Sequence, residues 1–181
     1  LYVDITERKR IEEQIRNMAL RDALTGLPNR IALSERIDQA LTHGAEGKES
    51  FALLFLDLDG FKKVNDSLGH DSGDALLIEV SHRIKGVVRE TDTVARLGGD
   101  EFVVLLRDID QVATAERIAK AIIDEISAPF TLQGKPAKVG TSIGVALYPD
   151  HGGTREALLK AADEAMYQAK SGGRGTWRIA G

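Results

Sequence analysis

Two pairs of acidic residues carry the strongest chemical signal in the chain. Asp57 and Asp59 stand two apart at the end of the apolar run 51–56. In an extended strand, residues i and i+2 point to the same side, so these carboxylates share a face. A carboxylate at the end of a buried strand is destabilising unless something positive neutralises it. A hard divalent cation such as Mg²⁺ does this well, because it prefers oxygen ligands and keeps waters for substrate phosphates. Taken alone, the two Asp residues fit equally the capping of the turn that follows at Gly60. The second pair, Asp100-Glu101, follows Gly98-Gly99. Two glycines at a hairpin tip allow positive φ and close approach of a bulky ligand. Adjacent acids repel unless a cation or solvent relieves them. A bare solvated hairpin could carry such a turn, but two acid clusters at strand ends together supply the oxygens of a two-metal phosphoryl-transfer site.

These groups need a scaffold. The continuous apolar run 51–56 reads as a buried strand ending at Asp57-Leu58-Asp59-Gly60. Residues 93–97 and 102–106 are strand-like and flank the glycine turn as a hairpin. A helix is expected to open at Pro28, a residue tolerated in a first turn, and to run through Ile31, Leu33, Ile37 and Leu41. Another is expected to begin near Ser72, with Leu76, Leu77, Val80, Ile84 and Val87 on one face. A third carries Val112, Ile118, Ile122 and Ile126, and strands follow at 130–132 and 138–147. A last long helix starts at Thr154 and carries Leu158, Leu159, Ala162, Met166 and Ala169, and Trp177-Arg178-Ile179 adds a short strand. This alternation predicts an α/β sandwich around a mixed or antiparallel sheet.

Residues 1–20 read apart from residues 21–181. Leu1 to Ile5 resembles the tail of a strand, Thr6 can cap a helix, and Ile11, Ile15 and Met18 form a narrow apolar stripe. The stripe suits a connector helix packed on its own domain, or a signalling helix that pairs with its copy in a dimer.

The chain has 181 residues, enough to bury roughly 70% of the surface its unfolded form exposes. It has no cysteine, which excludes a disulfide scaffold, a thiolate zinc site and a cysteine nucleophile. The net charge of −4 argues against a general nucleic-acid footprint, so phosphates must be held by metal ions and a few local cations. No apolar stretch approaches the ~20 residues of a membrane span, and no signal peptide is visible. A cytoplasmic setting without membrane contact by this fragment is expected. From the start at Leu1 rather than Met, the chain is expected to be a piece of a longer protein.

Arg96-Leu97-Gly98-Gly99-Asp100-Glu101-Phe102 resembles the signature of the GGDEF family of diguanylate cyclases. Four further segments resemble family motifs in order: 22–30 (Asp22-Ala23-Leu24-Thr25-Gly26-Leu27-Pro28-Asn29-Arg30), 55–62, 65–74 and 162–170. The likeness covers residues 21–180 and implies a GGDEF-type, nucleotidyl-cyclase-like fold. It implies that two GTP are condensed into cyclic di-GMP with release of pyrophosphate. Two Mg²⁺ or Mn²⁺ ions per active site would be held by Asp57, Asp100 and the Leu58 carbonyl. Glu101 would support the metals or help deprotonate the attacking 3′-hydroxyl, and the sequence leaves open which acid is the base. Asn65 and Asp74 would read the guanine edge. Lys62, Lys170 and Arg174 would hold the triphosphate, with Lys62 also serving catalysis. Asp59 is a secondary site candidate and His70 is read as structural. Each domain would hold one GTP, so a homodimer is implied. Arg89-Glu90-Thr91-Asp92 resembles the family's inhibitory site, with Arg89 and Asp92 binding the product. Gly175 stands where the family often has Asn. Residues 1–14 resemble the junction that follows a PAS sensor domain, which implies a sensor upstream.

Two other readings stand beside this one. The fold could serve as a catalytically silent GTP- or cyclic di-GMP-binding regulatory module of a larger signalling protein. Leu56-Asp57-Leu58-Asp59-Gly60 also resembles the nucleophile motif of haloacid-dehalogenase-type phosphatases, although Phe61 replaces their usual Thr or Val and the glycine hairpin is then unexplained.

Overall fold

The computed structural model describes residues 2–47 and 49–181, with side chains from Ile5 onward. Along the chain run α1 (Tyr2–Leu20), α2 (Arg30–Ala45), β1 (Phe51–Asp59), α3 (Phe61–Leu68), α4 (His70–Val87), β2 (Thr93–Gly98) and β3 (Glu101–Arg107). Then follow α5 (Val112–Ser127), β4 (Phe130–Leu132), β5 (Lys135–Ala137), β6 (Gly140–Tyr148), α6 (Arg155–Ser171) and β7 (Trp177–Ile179). The main sheet has the order β2-β3-β1-β6-β7, and β4-β5 is a separate hairpin. β1 lies between β3 and β6, antiparallel to both, and β2 is antiparallel to β3. β7 runs parallel to β6, so the sheet is mixed, as expected.

The apolar run of β1 is continuous because helices cover both faces of the sheet. Ala52, Leu54, Leu56 and Leu58 pack with Leu76, Leu77, Val80 and Ile84 of α4 and with Ala115, Ala119 and Ile122 of α5. Phe51, Leu53 and Phe55 pack on the other side with Leu33 and Ile37 of α2 and with Leu158, Ala162 and Met166 of α6. Burying each of these large side chains stabilises the fold by about 1.5–3 kcal/mol. The period of two then puts Asp57 and Asp59 on the α2/α6 face, in line with Phe55. Gly144 of β6 sits opposite Phe55. A Cβ there would stand 1.9 Å from the Ala162 carbonyl oxygen and 2.3 Å from the Met166 nitrogen. The α6 backbone therefore lies directly on the sheet, and its last turn reaches the end of β1.

Several boundaries differ from the sequence expectation. Tyr2 to Ile5 belong to α1 rather than to a strand, and Thr6 lies within that helix rather than capping it. Leu1 lies outside the described residues. The second helix begins at Arg30, not Pro28. Asn29 is its cap, accepting from the Ile31 and Ala32 N–H groups at 3.0 and 3.1 Å. Pro28 instead bridges to Arg21 and accepts from the Arg96 N–H at 3.1 Å. α3 went unread because its eight residues bury a single position, Val64, too few to show a period. α4 opens at His70, earlier than Ser72. Thr154 is the cap of α6, accepting from the Ala157 N–H at 3.1 Å. α1 leaves Ile11, Ile15 and Met18 exposed, Met18 by 81%. Among the described residues no helix is long and apolar enough to cross a membrane.

Candidate active site at the ends of the central strands

The register of the sheet gathers the acids. Asp57 pairs with Glu101 of β3 on one side and with Ser142 of β6 on the other. Asp100 precedes Glu101 in the turn, where Gly98 at φ 144° and Gly99 at φ 51° take conformations that residues with a Cβ rarely adopt. The side chain of Arg96 ties this turn down. Its Nε and Nη2 donate to the Gly99 carbonyl at 3.0 and 2.9 Å, and its Nη1 pairs with Asp22 at 2.8 Å. Asp22 also accepts from the Thr25 N–H and hydroxyl at 2.8 and 2.7 Å. Burial alone would raise its carboxyl, but the Thr25 bonds and the Arg96 charge outweigh burial and hold it below the ordinary carboxylate range. The sequence placed Asp22 and Arg96 in motifs but assigned no role to either. Their pairing joins segments 74 residues apart, which no local pattern reveals.

Lys170, in the last turn of α6, sits between the two strand-end acids. Its Nζ is 2.9 Å from Asp57 Oδ2 and 3.7 Å from Asp59 Oδ1. The buried hydroxyls of β6 complete the polar end of β1. Thr141 donates to the Asp57 carbonyl and Ser142 to Asp59 Oδ2, both at 2.9 Å. The Gly175 N–H also donates to Asp59 Oδ2, at 3.2 Å. The Oδ1 atoms of Asp57 and Asp59 are buried without a hydrogen-bond donor. Burial, followed by the hydrogen bond and charge of Asp57, pushes the Asp100 carboxyl up to about 7. Burial and then the charges of Asp57 and Asp163 raise Glu101, against the opposing charges of Arg30 and Lys170.

Orphaned carboxylate oxygens and acids held above their ordinary range are what a cluster shows when it suits a divalent cation. Among the described residues, no three acidic or histidine side chains lie close enough to hold an ion by themselves. That fits a hard cation completed by backbone oxygen, water and substrate phosphate rather than a closed protein cage. The Leu58 side chain is buried in the opposite core, so its contribution to the site can come only from its backbone.

The other expected residues are distributed around this centre. Lys62 lies exposed in the first turn of α3, three residues past Asp59, and Arg174 lies exposed in the turn after α6. Asn65 is half-buried on α3, against Gly73 of α4, where a Cβ would stand 1.8 Å from its Oδ1. Asp74 is exposed on the next position of α4. Arg89 and Asp92 are not part of this cluster. They precede β2, roughly 17 Å of strand away from the glycine turn. Asp92 is buried and accepts from the Arg89 N–H at 2.9 Å, the Arg107 N–H at 2.9 Å and the Arg89 guanidinium at 3.3 Å. Its carboxylate therefore holds the turn together, and Arg89, Glu90 and Asp92 border an open cleft of about 370 Å³ that Arg21, Arg36 and Lys85 also line.

A mixed five-stranded sheet with helices on both faces, carrying acids at the ends of its central strands, defines a nucleotidyl-cyclase-like domain. Residues 19–176 match the family described as diguanylate cyclase, GGDEF domain, and the chain belongs to that family. It is 47% identical to the bifunctional diguanylate cyclase/cyclic di-GMP phosphodiesterase MucR of Pseudomonas aeruginosa, over 93% of this chain and 24% of MucR. It is 48% identical to the diguanylate cyclase TpbB of the same species, over 91% of this chain and 38% of TpbB. The chain thus spans well under half the length of these curated relatives. A solved structure of an N-terminally truncated TpbB from Pseudomonas aeruginosa, comprising only the GGDEF domain, is 48% identical and superposes with a TM-score of 0.86, covering 89% of this chain and 94% of that one. The coiled coil and GGDEF domain of DgcB from Caulobacter crescentus, in complex with c-di-GMP, is 28% identical. It superposes with a TM-score of 0.89, covering 99% of this chain and 95% of that one. The haloacid-dehalogenase reading has no support in this fold or family.

Proposed function

We propose that residues 21–181 form a diguanylate cyclase domain that condenses two GTP into cyclic di-GMP, following a signalling helix at residues 1–20. The observation that carries this reading is the meeting of Asp57, Asp100 and Glu101 with Lys170 at the ends of β1 and β3. Asp57, Asp100 and the Leu58 carbonyl, supported by Glu101, would hold two Mg²⁺ or Mn²⁺ ions, which when bound neutralise charge developing on the phosphate oxygens. Lys62, Lys170 and Arg174 hold the triphosphate. Asn65 and Asp74 read guanine, whose N1–H and N2–H₂ donors a carboxylate accepts together and adenine does not offer. The 3′-oxygen of one GTP attacks the α-phosphorus of the other, and the bond to pyrophosphate breaks. The 3′-proton passes to one of the hairpin acids, Asp100 or Glu101. Repetition in the opposite sense closes the ring and releases a second pyrophosphate. Each domain holds one GTP, so two domains must face each other.

The cleft beside Arg89 suits an anionic product. Its cations can pair with phosphodiester groups, and the Arg89 guanidinium can leave Asp92 to do so. Feedback inhibition is read from the initial rate against added cyclic di-GMP. Arg89→Ala should keep turnover and shift the inhibition curve to higher product, and superimposable curves would remove Arg89 from the site.

The reading as a whole is tested by incubating the purified chain, at concentrations where it is dimeric, with GTP and Mg²⁺. Cyclic di-GMP should form and ATP should not be consumed, because a site built on such hydrogen bonds discriminates by roughly 10⁴. GTP or product binding with no turnover would favour a regulatory module. The covalent joining of both activities in MucR makes that the reading to test against.

A further inference from the structure

Asp57 and Asp59 share a face of β1, but their oxygens are used differently. Asp57 Oδ2 meets Lys170, its Oδ1 is orphaned, and its carboxylate neighbours Asp100. Asp59 is turned toward β6 and the turn that follows α6. Its Oδ2 accepts twice, from the Ser142 hydroxyl and from the Gly175 N–H, which occupies that oxygen's lone pairs. Its Oδ1 lies 3.7 Å from Lys170 Nζ. This one side chain thus joins β6, Lys170 and Gly175, the residue that follows Arg174.

That turn needs holding. Gly173, Arg174 and Gly175 have φ of 126°, 64° and 60°. Arg174 has a Cβ, and the left-handed conformation is strained for it, so the conformation persists only where its surroundings enforce it. One constraint is the Arg174 N–H to the Ala169 carbonyl at 3.0 Å. A second is the Thr176 carbonyl, which accepts from Ile143 of β6 at 3.0 Å. The third is the bond from Gly175 to Asp59, which anchors the turn to the central strand. Asp59 is 11% exposed and Ser142 is fully buried, so the Asp59 end of this anchor is held by a shielded, charge-assisted bond from Ser142, while the Gly175 end lies at the surface.

We infer that Asp59 is a positioning residue for triphosphate binding rather than a metal ligand. It fixes the Gly175 turn and draws Lys170 toward the end of β1, so that Lys170 and Arg174 present their charges together. The inference rests on the reading of Lys170 and Arg174 as the triphosphate holders.

The test measures binding by calorimetry, using a GTP analogue with an α,β-methylene bridge, GMP, and Mn²⁺ alone. Asp59→Ala should weaken the analogue by about tenfold or more, the effect of losing a charge-assisted contact worth one power of ten. Binding of GMP and of Mn²⁺ should stay within about twofold, because neither uses the turn. Asp59→Asn, which keeps one doubly accepting oxygen, should restore part of the loss. If Asp59→Ala does not melt cooperatively, Asp59→Asn and Ser142→Ala carry the comparison, and both should weaken the analogue selectively. Loss of Mn²⁺ affinity equal to that of Asp57→Ala would make Asp59 a ligand and overturn the inference. Equal weakening of GMP and the analogue, or no weakening of either, would also overturn it. Arg174→Ala and Lys170→Ala serve as controls. If they leave analogue binding unchanged, the phosphate-holding reading fails and takes the inference with it. If they weaken it while Asp59→Ala does not, the positioning role alone fails.

Discussion

Asp100 is ionised with difficulty because it is part-buried next to Asp57. Its folded value of about 7 lies above the ordinary carboxylate value, so its favourable contribution to folding is fully present below that ordinary value. The contribution is lost as pH rises through about 7. In a chelator, the thermal midpoint should therefore fall more steeply in the wild type than in Asp100→Asn as pH rises from the ordinary carboxylate value toward about 7, and the two should run parallel above it. Parallel slopes below it as well would show that Asp100 titrates normally. Asp57→Ala removes one of the two repelling carboxylates without touching the core. It should leave the thermal midpoint within a few degrees of wild type, or raise it, while turnover falls by at least a hundredfold. Cyclase activity within a few-fold of wild type would sink Asp57 as a ligand. Asp57, Asp59, Asp100 and Glu101 were legible in the sequence because strand periodicity and a double-glycine turn dictate where such side chains point. The division of labour between Asp57 and Asp59 was not. It depends on Ser142 and Gly175, which lie 83 and 116 residues from Asp59.

α6 delivers Lys170 to the site only because its backbone touches β6 at Gly144. Gly144→Ala would force the Ala162 and Met166 backbone away by more than an ångström, and overpacking of this kind costs about 1–3 kcal/mol. The expected result is a lower urea midpoint together with a raised KM for GTP, since Lys170 moves with the helix. An unchanged midpoint would mean that α6 is held elsewhere. Long elements with repeated buried positions, such as α4, α5 and β1, were readable from their periods. α3 was not, because a short helix with one buried residue has no period. The start of α2 was misplaced because Pro28 suits a helix's first turn as well as the bridge it makes with Arg21.

For the molecule as a whole, α1 stands with Ile11, Ile15 and Met18 exposed, so these residues add little to the stability of their own domain. An apolar stripe at this spacing suits a parallel partner helix. Specific activity at saturating GTP should rise with protein concentration until the dimer forms. Ile15→Glu with Met18→Glu should displace that rise to higher concentration without lowering the thermal midpoint. Activity per molecule that stays flat where sedimentation shows only monomer would contradict the half-site reading.

The sequence by itself determined the strand–helix alternation, the face shared by Asp57 and Asp59, and the glycine turn carrying Asp100. These follow from local geometry, in which side-chain direction is set by residues one to four apart. Tertiary structure decided which distant groups meet: Glu101 of β3 beside Asp57 of β1, Lys170 through α6 on Gly144, and Arg96 on Asp22. It also turned Asp92 inward, to hold a backbone turn that its spacing alone did not reveal. Such contacts depend on strand register and helix packing, which arise from the combined burial of both faces of the sheet and are encoded in no single segment.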